Sequence, residues 1–155
     1  MKVTRPDSLE QALSLITDGG VPVAGGSAFQ LEYAQGTTPP AQYVPVGHLI
    51  PTGIKGLTIG AGTPLENLRH AGIPLLSDAC RDVAAPNIRR LGTLGGNLAW
   101  RKGCLVPALI ALDALITTTN GSMPVLEYLS APDGLVLSIT LRPLEGGQIQ
   151  STWRK

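Results

Sequence analysis

The sequence predicts an α+β fold. Short helical and strand patterns follow one another without a regular βα repeat, glycines cluster at the junctions between them, and the later part of the chain shifts to strand patterns with hairpin signals. At 155 residues the chain suits one domain and can bury a core without disulfide staples.

Each element has its own signal. Asp7-Ser8-Leu9-Glu10 reads as a helix start, with Asp7 as cap and Glu10 three residues on. Leu9, Ala12, Leu13 and Ile16 recur at helical spacing until Gly19-Gly20 stops them. Val21 to Ala24 is an apolar run that predicts a buried strand, followed by a Gly25-Gly26-Ser27 turn and a helix over Ala28 to Tyr33. A strand is expected near Tyr43-Val44 and another over Leu57 to Gly60, after the turn at Gly53 to Gly56. Thr63-Pro64-Leu65-Glu66 predicts a helix with Thr63 as cap and Pro64 at its first position. Pro74 to Ala85 continues as a helix with Leu75, Leu76, Ala79 and Val83 on one face. Pro86 to Arg90 leads into a glycine-rich loop, Leu91 to Asn97. A buried helix over Pro107 to Leu112 follows, then a strand over Leu115 to Thr119 with Asn120-Gly121 as its hairpin turn. Leu135 to Leu141 predicts a strand, and Gln148 to Trp153 a partner for it across Glu145-Gly146-Gly147.

Composition excludes several classes. With 12 Lys+Arg against 11 Asp+Glu there is no basic field to hold a phosphate backbone, so no nucleic acid is expected as a partner. Cys80 and Cys104 form neither a CxxC pair nor part of a ligand cluster, so no metal site is expected. The start of the chain lacks the apolar core of a signal peptide, and the longest apolar stretch, Leu105 to Ile116, is interrupted by Asp113 and too short to span a bilayer. A soluble, cytoplasmic protein is expected.

Two motifs carry chemistry. In Val23-Ala24-Gly25-Gly26-Ser27 a strand runs through two glycines into a helix start, where free N–H groups and the helix dipole favour an anion. An ordinary strand-to-helix turn gives the same pattern. In Leu91-Gly92-Thr93-Leu94-Gly95-Gly96-Asn97, three glycines with Thr93 and Asn97 offer several donors, more than a plain connection needs. No P-loop is present, and Gly60-Ala61-Gly62 lacks the third glycine of a dinucleotide fingerprint, since position 65 is Leu65. Catalytic side chains are scarce. His70 is expected to meet terminal carbonyls at a helix end, His48 has no Asp or Ser partner in sight, Cys104 reads as a buried thiol and Arg89 and Arg90 as a solvated face. A domain poor in such groups and rich in glycine turns leaves the chemistry to a cofactor. No catalytic residue is assigned.

The two motifs in this order resemble the FAD-binding medium subunit of the xanthine dehydrogenase and carbon monoxide dehydrogenase family. Arg5 to Ala12, Leu57 to Thr63 and Pro107 to Ala114 resemble the same family's opening, its strand before the middle helix and its helix after the second loop. The resemblance implies a two-lobed flavin domain, with residues 1–53 as the N-terminal lobe and 54–155 as an incomplete second lobe. It implies FAD as cofactor, with its pyrophosphate wrapped by Ala24, Gly25, Gly26, Ser27, Ala28 and Phe29. From the other lobe, Gly92, Thr93, Gly95, Gly96 and Asn97 would meet it, and Leu135 and Arg154 would lie near the flavin. The implied partners are a molybdenum-cofactor large subunit and a [2Fe-2S] small subunit, with NAD or another molecule as acceptor.

The chain departs from the family at three places. Trp100-Arg101-Lys102-Gly103-Cys104 replaces a stretch with Ser-Pro and a cofactor-contacting Asp, Ser27-Ala28-Phe29 replaces the usual Thr-Asp, and the family's flavin domain continues past Lys155. These departures leave open a relative that no longer binds FAD and serves as a subunit-assembly module.

Overall fold

The structure, a computed structural model, describes residues 1–142. It begins with strand β1 (Lys2–Val3), helix α1 (Leu9–Thr17), strand β2 (Val21–Val23), helix α2 (Ser27–Ala34) and strand β3 (Gln42–Pro45). The three strands form a parallel sheet with β3 in the middle, pairing Val3 with Tyr43 and Val23 with Pro45. Parallel neighbours need long crossovers, and the two helices supply them. Ala12 of α1 and Val44 of β3 are fully buried. The α1 cap is Ser8 rather than Asp7. Ser8 is extended, and its Oγ accepts the Gln11 N–H at 3.2 Å, while Gln11 Oε1 accepts the Asp7 N–H at 2.6 Å. The cap therefore sits at Ser8, one residue later than Asp7, and the side chain that reaches back is that of Gln11, which takes the N–H preceding the cap.

The chain continues through strands β4 (Ile54–Lys55) and β5 (Thr58–Gly60) into five short helices: α3 (Leu65–Leu68), α4 (Pro74–Arg81), α5 (Pro86–Leu91), α6 (Leu94–Ala99) and α7 (Val106–Ala111). Strands β6 (Leu115–Thr118) and β7 (Gly121–Pro124), helix α8 (Val125–Ser130) and strand β8 (Val136–Thr140) complete it. The second sheet is antiparallel, in the order β4-β5-β8-β6-β7. Ile59, Ile139 and Ile116 pair across three neighbouring strands, and all three are fully buried. Helices close over the core with Leu68, Leu76, Leu94, Leu98 and Leu109, none of them exposed.

Several expectations need correction. Thr63 does not cap α3. Its hydroxyl is buried and bonded to the N–H and carbonyl of Gly53, at 2.9 and 3.1 Å, and Pro64 takes the cap position. The helix from Pro74 stops at Arg81, and Ala84 then adopts φ 44°, which ends helical geometry before Ala85. Pro86 then opens α5, where its missing N–H costs nothing. Leu94 to Asn97 is the start of a helix, not a loop: Thr93 Oγ1 accepts the Gly96 N–H at 3.1 Å and caps it. The expected strand over Gln148 to Trp153 lies outside the described residues. No helix among the described residues is long and apolar enough to cross a membrane.

Candidate functional site

The two sequence motifs meet. The strand β2 ends at Val23, and Gly26 turns the chain into α2 with φ +69°, a conformation that a residue with a Cβ rarely takes. Gly25 serves a different purpose. A Cβ there would overlap the Leu91 carbonyl, and one on Gly92 would lie 3.0 Å from Ser27 Oγ. Gly25 therefore lets the backbone of the first sheet unit touch the backbone of the second.

Around this contact lies a cleft of about 480 Å³. Ala24, Gly25, Gly26, Ser27, Ala28 and Phe29 form one wall, and Gly92, Thr93, Gly96 and Asn97 face them. A second cavity of about 430 Å³ adjoins it. It is lined by Leu13 and Ile16 of α1, by Gly95, and by Tyr128 and Leu135. Pro22, Ala24, Gly96 and Ala99 line both, so the two cavities are neighbours between the sheet units. Burial pushes the Tyr128 hydroxyl pKa up, which keeps it a neutral donor there. Arg154, expected near a flavin, lies outside the described residues.

Hydrogen bonding separates the two motifs. Along Ala24 to Phe29 the main-chain N–H groups have no protein acceptor among the described residues, and the first turn of α2 has no side-chain cap. Six successive amides, those of Ala24 to Gly26 before α2 and those of Ser27 to Phe29 in its first turn, are thus left able to donate to an anion. The main-chain donors expected from the second motif, Thr93 excepted, are instead engaged within the chain. Gly92 donates to Ile88, Leu94 to Thr63, Gly95 to Ala61, and Asn97 to Thr93. Gly95 packs on Ala61, where a Cβ would approach the Ala61 methyl to 2.7 Å. Asn97 Oδ1 accepts the Leu105 N–H at 3.1 Å. The second motif thus offers the cleft a glycine surface, the Thr93 hydroxyl and the Thr93 N–H, which has no acceptor among the described residues.

Phe29 lines the cleft but packs on its own sheet unit, stacked on Tyr33 at 6.2 Å and edge-on to Tyr43 at 5.7 Å.

Other expectations change. Arg89 is not solvated but 5% exposed. Its guanidinium donates to Glu66 Oε2 at 2.6 Å and to the carbonyls of Val83 and Ala84 at 2.8 and 2.6 Å. Glu66 also accepts from Arg69, and the Arg89 hydrogen bond, foremost, holds its carboxyl below the usual range. This cluster fixes the Val83-Ala84 turn, which lines the cleft, to α3. Arg90 is exposed. Cys104 is exposed and lines the cleft, whereas Cys80 is the buried thiol, its pKa pushed up to about 12 by burial. His48 donates from Nε2 to the Pro6 carbonyl at 2.8 Å, and His70 is exposed with no side-chain hydrogen bond among the described residues. Leu31 and Val83 line the cleft without having been named as site residues, and Trp100, known from the sequence only as part of the stretch that departs from the family, lines it too. They come from a helix, a turn and a helix end whose proximity no local pattern encodes.

The architecture defines a class: an α+β domain with a cleft between two sheet units and a row of open amides along one wall. Residues 1–140 match the family described as the FAD binding domain in molybdopterin dehydrogenase, and the chain belongs to that family. A similar protein is the 6-hydroxypseudooxynicotine dehydrogenase complex subunit alpha of Paenarthrobacter nicotinovorans, 32% identical over 129 residues, covering 74% of this chain and 44% of that one. Among solved structures, the fold is shared with carbon monoxide dehydrogenase from Hydrogenophaga pseudoflava, at a TM-score of 0.78 and 20% identity over 94% of this chain and 60% of that one. It is also shared with quinoline 2-oxidoreductase from Pseudomonas putida 86, at a TM-score of 0.77 and 17% identity over 91% and 58%. The chain therefore spans less than two thirds of each of these relatives.

Proposed function

We propose that this chain is the FAD-carrying part of a molybdenum-hydroxylase-type oxidoreductase. The observation that carries the reading is the row of amides from Ala24 to Phe29, without acceptors among the described residues, along the cleft between the sheet units. Residues 1–53 and 54–155 act as two lobes. Ala24 to Phe29 hold the FAD diphosphate from the first, Gly92, Thr93, Gly96 and Asn97 form the facing wall, and Gly95 belongs to the site from the adjoining cavity. Leu135 borders the second cavity, which takes one of the dinucleotide's ring systems. Arg154 belongs to the same proposal. The residues present fit the cofactor: the cradle supplies donors to a diphosphate, and the two adjoining cavities supply room for an elongated dinucleotide.

When bound, FAD accepts electrons and hands them on. The chain's own residues bind and orient it and contribute no acid, base or nucleophile of their own. The electrons come from a molybdenum-cofactor subunit through [2Fe-2S] clusters on a small subunit and leave to an acceptor such as NAD. The family and the relatives' names as dehydrogenase subunits support this route. The substitution at Trp100 to Cys104 favours a second reading, a relative that assembles a complex without FAD.

The absorbance spectrum of the purified full-length protein, followed by titration with FAD, decides between them. A flavin band, or saturable uptake of one FAD per chain, is expected. A colourless protein that takes up none sinks the flavin reading and leaves the assembly module.

A further inference from the structure

Among the described residues, one hydrogen bond joins residues 2–45 to residues 54–142. The Trp100 indole donates from Nε1 to Glu32 Oε1 at 2.8 Å, across 68 positions of sequence. No main-chain hydrogen bond and no ion pair makes the same crossing among these residues. The two ends of the bond belong to elements that wall the cleft. Glu32 lies on α2, whose first turn carries the open amides and whose Leu31 lines the cleft. Trp100 follows the last residue of α6 and lines the cleft itself.

The loop after Trp100 is held in place. Arg101 turns the chain back with φ 58°. Gly103 lies so close that a Cβ would overlap the Asn97 carbonyl, and the Leu105 N–H is bonded to Asn97 Oδ1 at 3.1 Å. The loop that follows Trp100 is thus pinned to α6. Near Gly25 the two walls are fixed by backbone packing against Leu91. Between α2 and Trp100 they are tied by a single side-chain bond.

We propose that Trp100 and Glu32 form a latch over the cleft that retains the cofactor, so that the bond must open for FAD to leave. The inference rests on the flavin reading above. Breaking the bond removes the polar tie between the walls and leaves the amide cradle intact, so its effect falls on the rate of release.

The test is FAD release from the full-length holoprotein, followed by the fluorescence that free flavin regains after dilution. Trp100→Phe keeps the ring and removes the donor, Glu32→Ala removes the acceptor, and Glu32→Gln keeps an acceptor oxygen. Trp100→Phe and Glu32→Ala are expected to release FAD about three to ten times faster, the range of one net hydrogen bond. Glu32→Gln should stay within about twofold of the native rate, since its amide oxygen still accepts. The double variant Trp100→Phe, Glu32→Ala should be no faster than either single one, because both remove the same bond. A native protein that binds FAD while Trp100→Phe releases it at the native rate overturns the latch alone. So do single effects that simply add in the double variant. A native protein that takes up no FAD overturns the flavin reading, and the latch with it.

Discussion

Gly25 and Gly26 are neighbours with unrelated duties. Gly26 supplies the left-handed turn into α2, and Gly25 supplies the contact with Leu91 that brings two sheet units together. Between the turn and the helix, the amides of Ser27 and Ala28 face no acceptor among the described residues, so charge placed there reads the cradle directly. Ala28→Asp puts a carboxylate at the second position of α2. A helix start welcomes an acidic residue by about 0.3–1 kcal/mol, so the variant is expected to fold. The same carboxylate competes for the amides and repels a diphosphate. FAD affinity should fall about tenfold or more, about 1.4 kcal/mol, by titration of the variant beside the native protein. Unchanged affinity in a folded Ala28→Asp protein would mean that the diphosphate lies elsewhere.

At the scale of elements, the first motif was legible and the second only half so. Val21 to Val23, its turn and α2 are local: apolar strand, glycines and helix follow in a few residues, and each has its own chemistry. Leu94 to Ala99 was obscured because Gly95-Gly96 argues against a helix by propensity. What overrides propensity is tertiary: Gly95 is needed against Ala61, and Thr93 caps the turn. Arg89 was misread for a related reason. Its acceptors come from Glu66, Val83 and Ala84, and only folding gathers them. The short strands β1 and β4 and the helix α8 had too few residues to show a period. The Glu66–Arg89 pair makes a prediction at this scale, because it ties α3 to α5 and to the Val83-Ala84 turn. The folded pKa of Glu66 is lowered, so the stabilisation is fully present above its unfolded value of about 4.3 and is lost as pH falls through the lower folded value. Urea unfolding of the native protein and Glu66→Gln should therefore give midpoints well separated near neutral pH that converge in acid. A separation that does not change with pH would show that the carboxylate charge contributes nothing to the pair.

At the scale of the whole molecule, a ligand that touches both sheet units stabilises the contact between them, and its parts can be tried separately. The sheet units meet through the close backbone packing at Gly25 and through one polar tie among the described residues. A ligand that binds only the folded chain at a hundred times its dissociation constant adds about 2.7 kcal/mol, which for a chain of this size moves the thermal midpoint by about 5–10 °C. FAD is expected to produce a shift of that order in the full-length protein. ADP carries the diphosphate without the flavin, and riboflavin carries the flavin without phosphate. Since the open amides of Ala24 to Phe29 are the most pronounced chemical feature of the cleft, ADP should retain a clear part of the FAD shift. Riboflavin at equal concentration should give little. The discriminating measurement is the order of the three midpoints, compared at matched ionic strength because a cradle of amides also attracts simple anions. Were riboflavin to outrank ADP, ring burial in the apolar walls would be what holds the cofactor, and the amide row would be reduced to an ordinary helix start.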